Sequence, residues 1–329
     1  MLTDEIKGAA DQLGYVDTPV GEIDLKAEIT RLKKEKNAVF LAHYYQIPEI
    51  QDLADFVGDS LALSQKAAEV DADIILFAGV HFMAETAKII NPNKKVILPD
   101  FKAGCSLAES APADKFKEFV EAHPDHTVIT YINSSAEVKA YTDITVTSTN
   151  ALKIVNSLPK DEKIIFAPDK NLGKYIMKET GRDMLLWDGA CVVHEAFAVD
   201  KLIELHKQHP KAKIIAHPES EMPVLKTASY IGSTAGLLKY VQEDDNEEYI
   251  VATEAGILHK MQQAVPHKTL IPAPANEDNT CACSECHFMK MNTLQKVYNC
   301  LKYEYPAVEV PEDIRLKAIG SIQRMFELS

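Results

Sequence analysis

At 329 residues the chain exceeds a typical domain of about 100–150 residues, so two or three units are expected. Hydrophobic residues make up 46% and charged residues 26%, which excludes disordered and fibrous classes. The net charge of -14 repels a phosphate backbone, and no apolar run approaches the roughly eighteen residues of a membrane span, so neither nucleic acid nor membrane is an expected partner.

The N-terminus MLTDEIKGAADQ lacks the apolar segment of a secretory signal, and a cytoplasmic location is expected. In a reducing cytosol the six cysteines point to metal binding, catalysis or burial rather than disulfides. Residues 1–36 read as a helical lead-in, with Ile29 and Leu32 at helical spacing. Ala38–Ala42 then reads as a buried parallel strand, and Pro48–Val57 returns to helical periodicity. A helix over Leu61–Glu69, a strand at Ile74–Ala78, a helix through Glu85–Ile90 and a strand at Lys95–Leu98 follow. Further strands are expected at 128–131, 144–146, 164–167 and 184–187, then at 214–216, 230–231, 249–252 and 269–271. Helices are expected over Met291–Tyr303 and Pro311–Leu328, with Cys300 in the core.

This course is a threefold internal repeat. Three strand-like runs carry polar residues at their ends: VFLAHYY to Tyr45, TVITYIN to Asn133 and KIIAHPE to Glu219. Seventeen residues after His43, Tyr131 and His217 stand Ser60, Ser148 and Thr234. Some sixty to seventy residues after them come Cys105, Cys191 and the group Cys281, Cys283 and Cys286. Repetition at a fixed period is evidence of architecture. The expected fold is α/β, three homologous three-layer α/β/α units with small parallel sheets around a pseudo-threefold axis. The units are 37–110, 111–195 and 196–275, after a lead-in over 1–36; residues 276–329 hold the cysteine segment and C-terminal helices that pack back on the first repeat.

Equivalent positions in such an assembly converge, so distant thiolates can meet at one metal centre. Cys105 follows Ala103-Gly104 and Cys191 follows Gly189-Ala190, small residues that allow close approach to a bulky cluster. One such cysteine alone would be read as buried; matching positions in two repeats point to ligands. Ser60, Ser148 and Thr234, each expected to begin a helix, offer hydroxyl and N–H donors to an anion. His43 and His217 can donate to carboxylate or phosphate oxygen or transfer a proton near neutral pH. Gly232–Gly236 lacks a nucleotide fingerprint, and Asp244–Glu248 reads as a solvated acidic loop.

Taken together, His43-Tyr44-Tyr45-Gln46, Gly58-Asp59-Ser60, Tyr131-Ile132-Asn133, Thr147-Ser148-Thr149-Asn150, His217-Pro218-Glu219, Gly232-Ser233-Thr234 and Cys286-His-Phe-Met-Lys-Met-Asn292 resemble the quinolinate synthase family over about residues 37–295. The resemblance implies one [4Fe-4S] cluster held by Cys105, Cys191 and Cys286, the last marked by HFMKMN. The family reaction condenses iminoaspartate with dihydroxyacetone phosphate to quinolinate in NAD biosynthesis, losing phosphate and two waters, the iminoaspartate supplied by an aspartate-oxidising enzyme. The iron without a cysteine ligand acts there as a Lewis acid. The resemblance also implies acid–base work for Tyr45, Glu219 and His43, and substrate contacts from His43, Ser60, Tyr131, Asn133, Ser148, His217, Glu219, Ser233 and Thr234. Glu195 is expected to support the cluster from beside a ligand. Many members carry CxxCxxC where this chain has CxCxxC, which leaves Cys281 and Cys283 without assigned roles. Two other readings fit parts of the pattern: a related iron-sulfur reductive dehydroxylase like hydroxymethylbutenyl diphosphate reductase, and a non-catalytic scaffold stapled by zinc at Cys281–Cys286.

Overall fold

The computed structural model describes residues 2–275 and 284–329; Cys281 and Cys283 lie outside the described residues. Among the described residues twelve strands form three four-stranded parallel sheets. The first contains β1 (Ala38–His43), β2 (Phe56–Gly58), β3 (Ile74–Ala78) and β4 (Lys95–Ile97). The second contains β5 (Thr127–Tyr131), β6 (Ile144–Val146), β7 (Ile164–Ala167) and β8 (Leu185–Leu186). The third contains β9 (Lys213–Ala216), β10 (Tyr230–Ile231), β11 (Glu248–Ala252) and β12 (Thr269–Pro272). The spatial orders are β2-β1-β3-β4, β6-β5-β7-β8 and β10-β9-β11-β12, one permutation used three times. Helices connect the strands, as parallel pairing requires, and the central strands are mostly apolar because both faces are covered; every residue of β3 (IILFA) is buried.

β2 corrects the helical reading of Pro48–Val57. The helix runs only over Pro48–Leu53, and Phe56–Gly58 pairs with Leu41–His43. The switch is fixed by Asp55, whose N–H donates to the Phe40 carbonyl and whose carboxylate accepts the Phe40 N–H at 2.8 Å. Asp143 makes the same pair of bonds to Val128 in the second repeat, and Ser229 N–H donates to Ile214 in the third. All three stand twelve residues after His43, Tyr131 and His217.

The chain forms two compact units. One comprises Met1–Cys105, Ser135–Ala140 and His287–Ile319 and carries the first sheet. Its core joins Ile29 and Leu32 of the helix Leu25–Glu35, Phe40, Ile50, Leu76 and Ile97 of the first repeat, and Val297, Cys300 and Leu301 of the helix Leu294–Tyr303. Ala307 pairs antiparallel with Ile97 at the edge of β4. Cys300 is fully buried, and burial pushes its thiol pKa up, leaving it an inert core group. The other unit comprises Ser106–Ser134, Tyr141–Cys286 and Gly320–Ser329 and carries the second and third sheets. Among the described residues no helix is long and apolar enough to cross a membrane.

Candidate active site

In the first unit, β1 ends at His43. The Tyr45 N–H donates to His43 Nδ1 at 3.2 Å, so in the neutral ring the proton sits on Nε2, ready to be donated. The Tyr45 ring meets the imidazole edge-on with centroids 4.5 Å apart. HFMKMN braces this turn: Lys290 Nζ donates to the Tyr45 carbonyl at 2.7 Å, Gln46 Nε2 contacts Met289 Sδ at 3.3 Å, and Asn292 Nδ2 donates to the Gly79 carbonyl at 2.8 Å. Ser60 is the first residue of the helix Ser60–Glu69, whose cap is Asp59. Near Cys105 lies Lys139, fully buried, its pKa lowered to about 8 by burial against the opposing pull of Glu85 and Cys105. Glu85 also accepts the Ala136 N–H at 3.1 Å, and its own pKa is raised by burial.

In the second unit the ends of the first strands of two sheets are joined. The Tyr131 hydroxyl donates to Glu219 Oε1 at 2.5 Å, and His194 Nδ1 lies 3.0 Å from Glu219 Oε2. His194 stacks on His217, centroids 4.7 Å apart, and its Nε2 meets the Thr253 hydroxyl at 3.0 Å. His217 repeats the device seen at His43. The backbone N–H two residues on, here from Glu219, approaches Nδ1 at 3.4 Å, and Nε2 is 3.1 Å from Ser148 Oγ. Burial lowers the His217 pKa to about 3, so the ring is a neutral Nε2–H donor, which corrects the expectation that it could transfer a proton near neutral pH. Burial alone would favour a neutral Glu219, but the facing His194 and the Tyr131 hydroxyl outweigh it and hold the carboxylate ionised. Asp169, beyond β7, is fully buried; burial first and the Glu219 charge second raise its pKa. Asn133 presents a buried Oδ1 with no hydrogen-bond partner, an acceptor available to a ligand.

The expected helix starts hold at two places of three. Thr234 is the first residue of the helix Thr234–Glu243, with Ser233 as its cap accepting the Gly236 N–H at 3.1 Å. Ser148 instead sits in a turn closed by the Thr147 N–H on Asn150 Oδ1 at 2.7 Å, before the helix Ala151–Ser157. Glu195 lies 3.5 Å from Lys170 and 3.4 Å from Asn171.

Cys105, Cys191 and Cys286 share a local setting. Each is half-buried and stands immediately before a four-residue helical turn: Ser106–Glu109, Val192–Glu195 and His287–Lys290. The Cys286 N–H donates to Glu254 Oε1 at 2.9 Å, and Glu254 Oε2 accepts from Gly256 at 2.7 Å.

Sequence reasoning missed His194, Asp169, Thr253, Glu254 and Lys139. The signal for three of them was present: Asp169, Thr253 and Glu254 follow the C-terminal ends of β7 and β11, the edge where parallel sheets bind ligands.

Parallel sheets with imidazoles and carboxylates at their strand ends, and in the second unit a thiol beside them, define an α/β enzyme for small-molecule chemistry. The chain belongs to the quinolinate synthetase A protein family, whose model matches residues 27–327. It is 57% identical over 315 residues to the quinolinate synthase of Synechococcus sp., covering 95% of this chain and 98% of that one. The quinolinate synthases of Trichodesmium erythraeum and Nostoc punctiforme are each 58% identical, over 306 residues (93% of this chain, 94% of the relative) and 315 residues (95% and 97%) respectively.

Proposed function

We propose that this chain catalyses quinolinate formation in cytoplasmic NAD biosynthesis, condensing iminoaspartate with dihydroxyacetone phosphate and releasing phosphate and two waters. The observation that carries the reading is the family match over residues 27–327. Atoms and electrons balance without a reductant, which separates this reading from the reductive dehydroxylase. The iminoaspartate is to be supplied by an aspartate-oxidising enzyme.

One [4Fe-4S] cluster per chain is to be held by Cys105, Cys191 and Cys286, whose convergence on one centre is part of the proposal. The fit rests on donor chemistry: three soft thiolates in equivalent settings, two of them preceded by small residues. When bound, the cluster supplies an iron without a cysteine ligand, a Lewis acid toward a substrate oxygen or nitrogen.

The protein's own groups supply binding and proton transfer. His43 and His217 offer Nε2–H to carboxylate and phosphate oxygens, because main-chain N–H groups occupy their Nδ1 atoms. Ser60, Ser148, Ser233 and Thr234 add hydroxyl and N–H donors to the anionic groups. Tyr131 and Asn133 hold substrate oxygens. Glu219 removes a carbon-bound proton, and Tyr45 shuttles that proton during isomerisation of the sugar phosphate. A substrate oxygen that takes over the Tyr131 hydroxyl deprives Glu219 of a donor, and its basicity rises as the substrate binds.

Incubating the anaerobically purified chain with iminoaspartate and dihydroxyacetone phosphate, with no electron donor present, tests the reading. Quinolinate and phosphate are expected in equal amounts; turnover that appears only with an added reductant would overturn it.

A further inference from the structure

Within the second unit, a Cys191 sulfur, a His194 ring nitrogen and a Glu219 carboxylate oxygen all lie within 4.8 Å of one another. The helical turn Val192–Glu195 sets this up: Cys191 caps it and His194 follows three residues later, on the same face. The outer nitrogen of His194 is taken by Thr253, which turns Nδ1 inward; one oxygen of Glu219 is taken by Tyr131, which leaves Oε2 facing that Nδ1. Such outer bonds orient ligands at metal centres.

A second observation points the same way. His194 is 3% exposed, and its Nδ1 makes no hydrogen bond, although Glu219 Oε2 is only 3.0 Å away. A donor and acceptor that close, yet not aligned, are placed as neighbouring ligands are: metal bonds of about 2.0–2.1 Å at a tetrahedral angle put two ligand atoms about 3.3 Å apart.

We propose that the cluster-free chain binds a single divalent transition-metal ion through Cys191 Sγ, His194 Nδ1 and Glu219 Oε2. One thiolate, one imidazole and one carboxylate suit zinc, cobalt or ferrous ion, with the fourth tetrahedral position open. Cys191 also belongs to the cluster ligand set proposed above, so the two occupancies exclude each other; only that clause rests on the functional reading. The ion competes with cluster assembly, and zinc-loaded chain is refractory to it.

The test uses the full chain stripped of iron, with Cys281 and Cys283 replaced by serine so that their thiols contribute nothing, titrated with cobalt(II). One equivalent is expected to give a thiolate-to-cobalt charge-transfer band and tetrahedral ligand-field bands. Cys191→Ser should abolish the charge-transfer band, His194→Ala and Glu219→Gln should abolish stoichiometric binding, and Cys105→Ser and Cys286→Ser should leave both. Thr253→Val keeps all three ligands and should weaken binding about tenfold, which serves where a ligand variant does not fold. Absence of a stoichiometric cobalt spectrum, or a spectrum lost in Cys105→Ser or Cys286→Ser and indifferent to His194→Ala and Thr253→Val, would overturn the site. Zinc-loaded chain that accepts a full cluster while keeping its zinc would overturn the exclusion. A chain that makes quinolinate once reconstituted but binds no cobalt when stripped sinks this inference alone, and the reverse result sinks the functional reading alone.

Discussion

The Tyr131 hydroxyl and Glu219 Oε1 are joined by a 2.5 Å hydrogen bond, tying the end of the second repeat's first strand to that of the third. A donor lost from a buried carboxylate costs about 1.5–3 kcal/mol. Tyr131→Phe should therefore lower the stability of the chain by about that amount, read from the urea midpoint. Glu219→Gln keeps shape but removes the proton acceptor, and kcat should fall about a hundredfold or more. A Glu219→Gln enzyme with unchanged kcat would remove Glu219 from proton transfer.

His217 and Glu219 lose stability at different acidities. Each has its folded pKa depressed, His217 from 6.5 to about 3 and Glu219 from 4.5 to about 2. The unfolded chain thus binds the proton first, and each contribution is present above the unfolded pKa and lost as pH falls toward the folded one. Of these two, His217 dominates between pH 7 and pH 5, contributing a loss of about 2 kcal/mol. Buried Asp169 and Glu85, whose pKa values are raised, act with the opposite sign, so the check is a difference: from pH 7 to pH 5, urea unfolding of cluster-free wild type should lose about 2 kcal/mol more than His217→Gln does.

Lys139 and Glu85 are both buried and oppose each other's shifts. Lys139→Met removes the buried cation and leaves Glu85 with the His81 ring at 3.7 Å and the Ala136 N–H, and should destabilise the first unit by about 3 kcal/mol. The double variant Glu85→Leu, Lys139→Met should recover most of that. A double-mutant cycle with no coupling would show that the pair does not interact energetically.

Gly189 precedes Cys191 by two residues and has no room for a side chain. An added Cβ would stand 2.2 Å from Ser110 Oγ and 2.6 Å from the Pro168 carbonyl, and that carbonyl is backbone that cannot turn aside. The Gly189 carbonyl also accepts the Lys170 N–H at 2.8 Å. Gly189→Ala should cost about 1–3 kcal/mol and hasten iron release from loaded protein to a chelator. Gly8→Ala, in the exposed helix Asp4–Leu13 with nothing within 4 Å, should instead stabilise by up to about 1 kcal/mol.

The strands were legible because parallel sheets bury both faces, and continuous runs such as Ile74–Ala78 have few other uses. β2 was not: its three residues follow a helix whose apolar spacing runs on through Val57, and only the Asp55 carboxylate on the Phe40 N–H breaks the pattern. His43, Tyr131 and His217 were readable as polar residues ending apolar strands. His194 was not, because its meaning comes from Glu219 and Thr253, partners 25 and 59 residues away in sequence. Lys139 looked like a surface lysine on a short polar helix, and its burial arises from residues of the first repeat, Glu85 and Phe82. Ser148 was misread as a helix start because its equivalence to Ser60 and Thr234 is one of position, not of local backbone.

The most direct measurement is the iron and acid-labile sulfide content of anaerobically purified protein, wild type beside four single serine variants. About four irons and four sulfides per chain are expected in wild type and in Cys300→Ser, whose thiol is an inert core group, with loss of both in Cys105→Ser, Cys191→Ser and Cys286→Ser. A full cluster retained by any of those three variants would contradict the account.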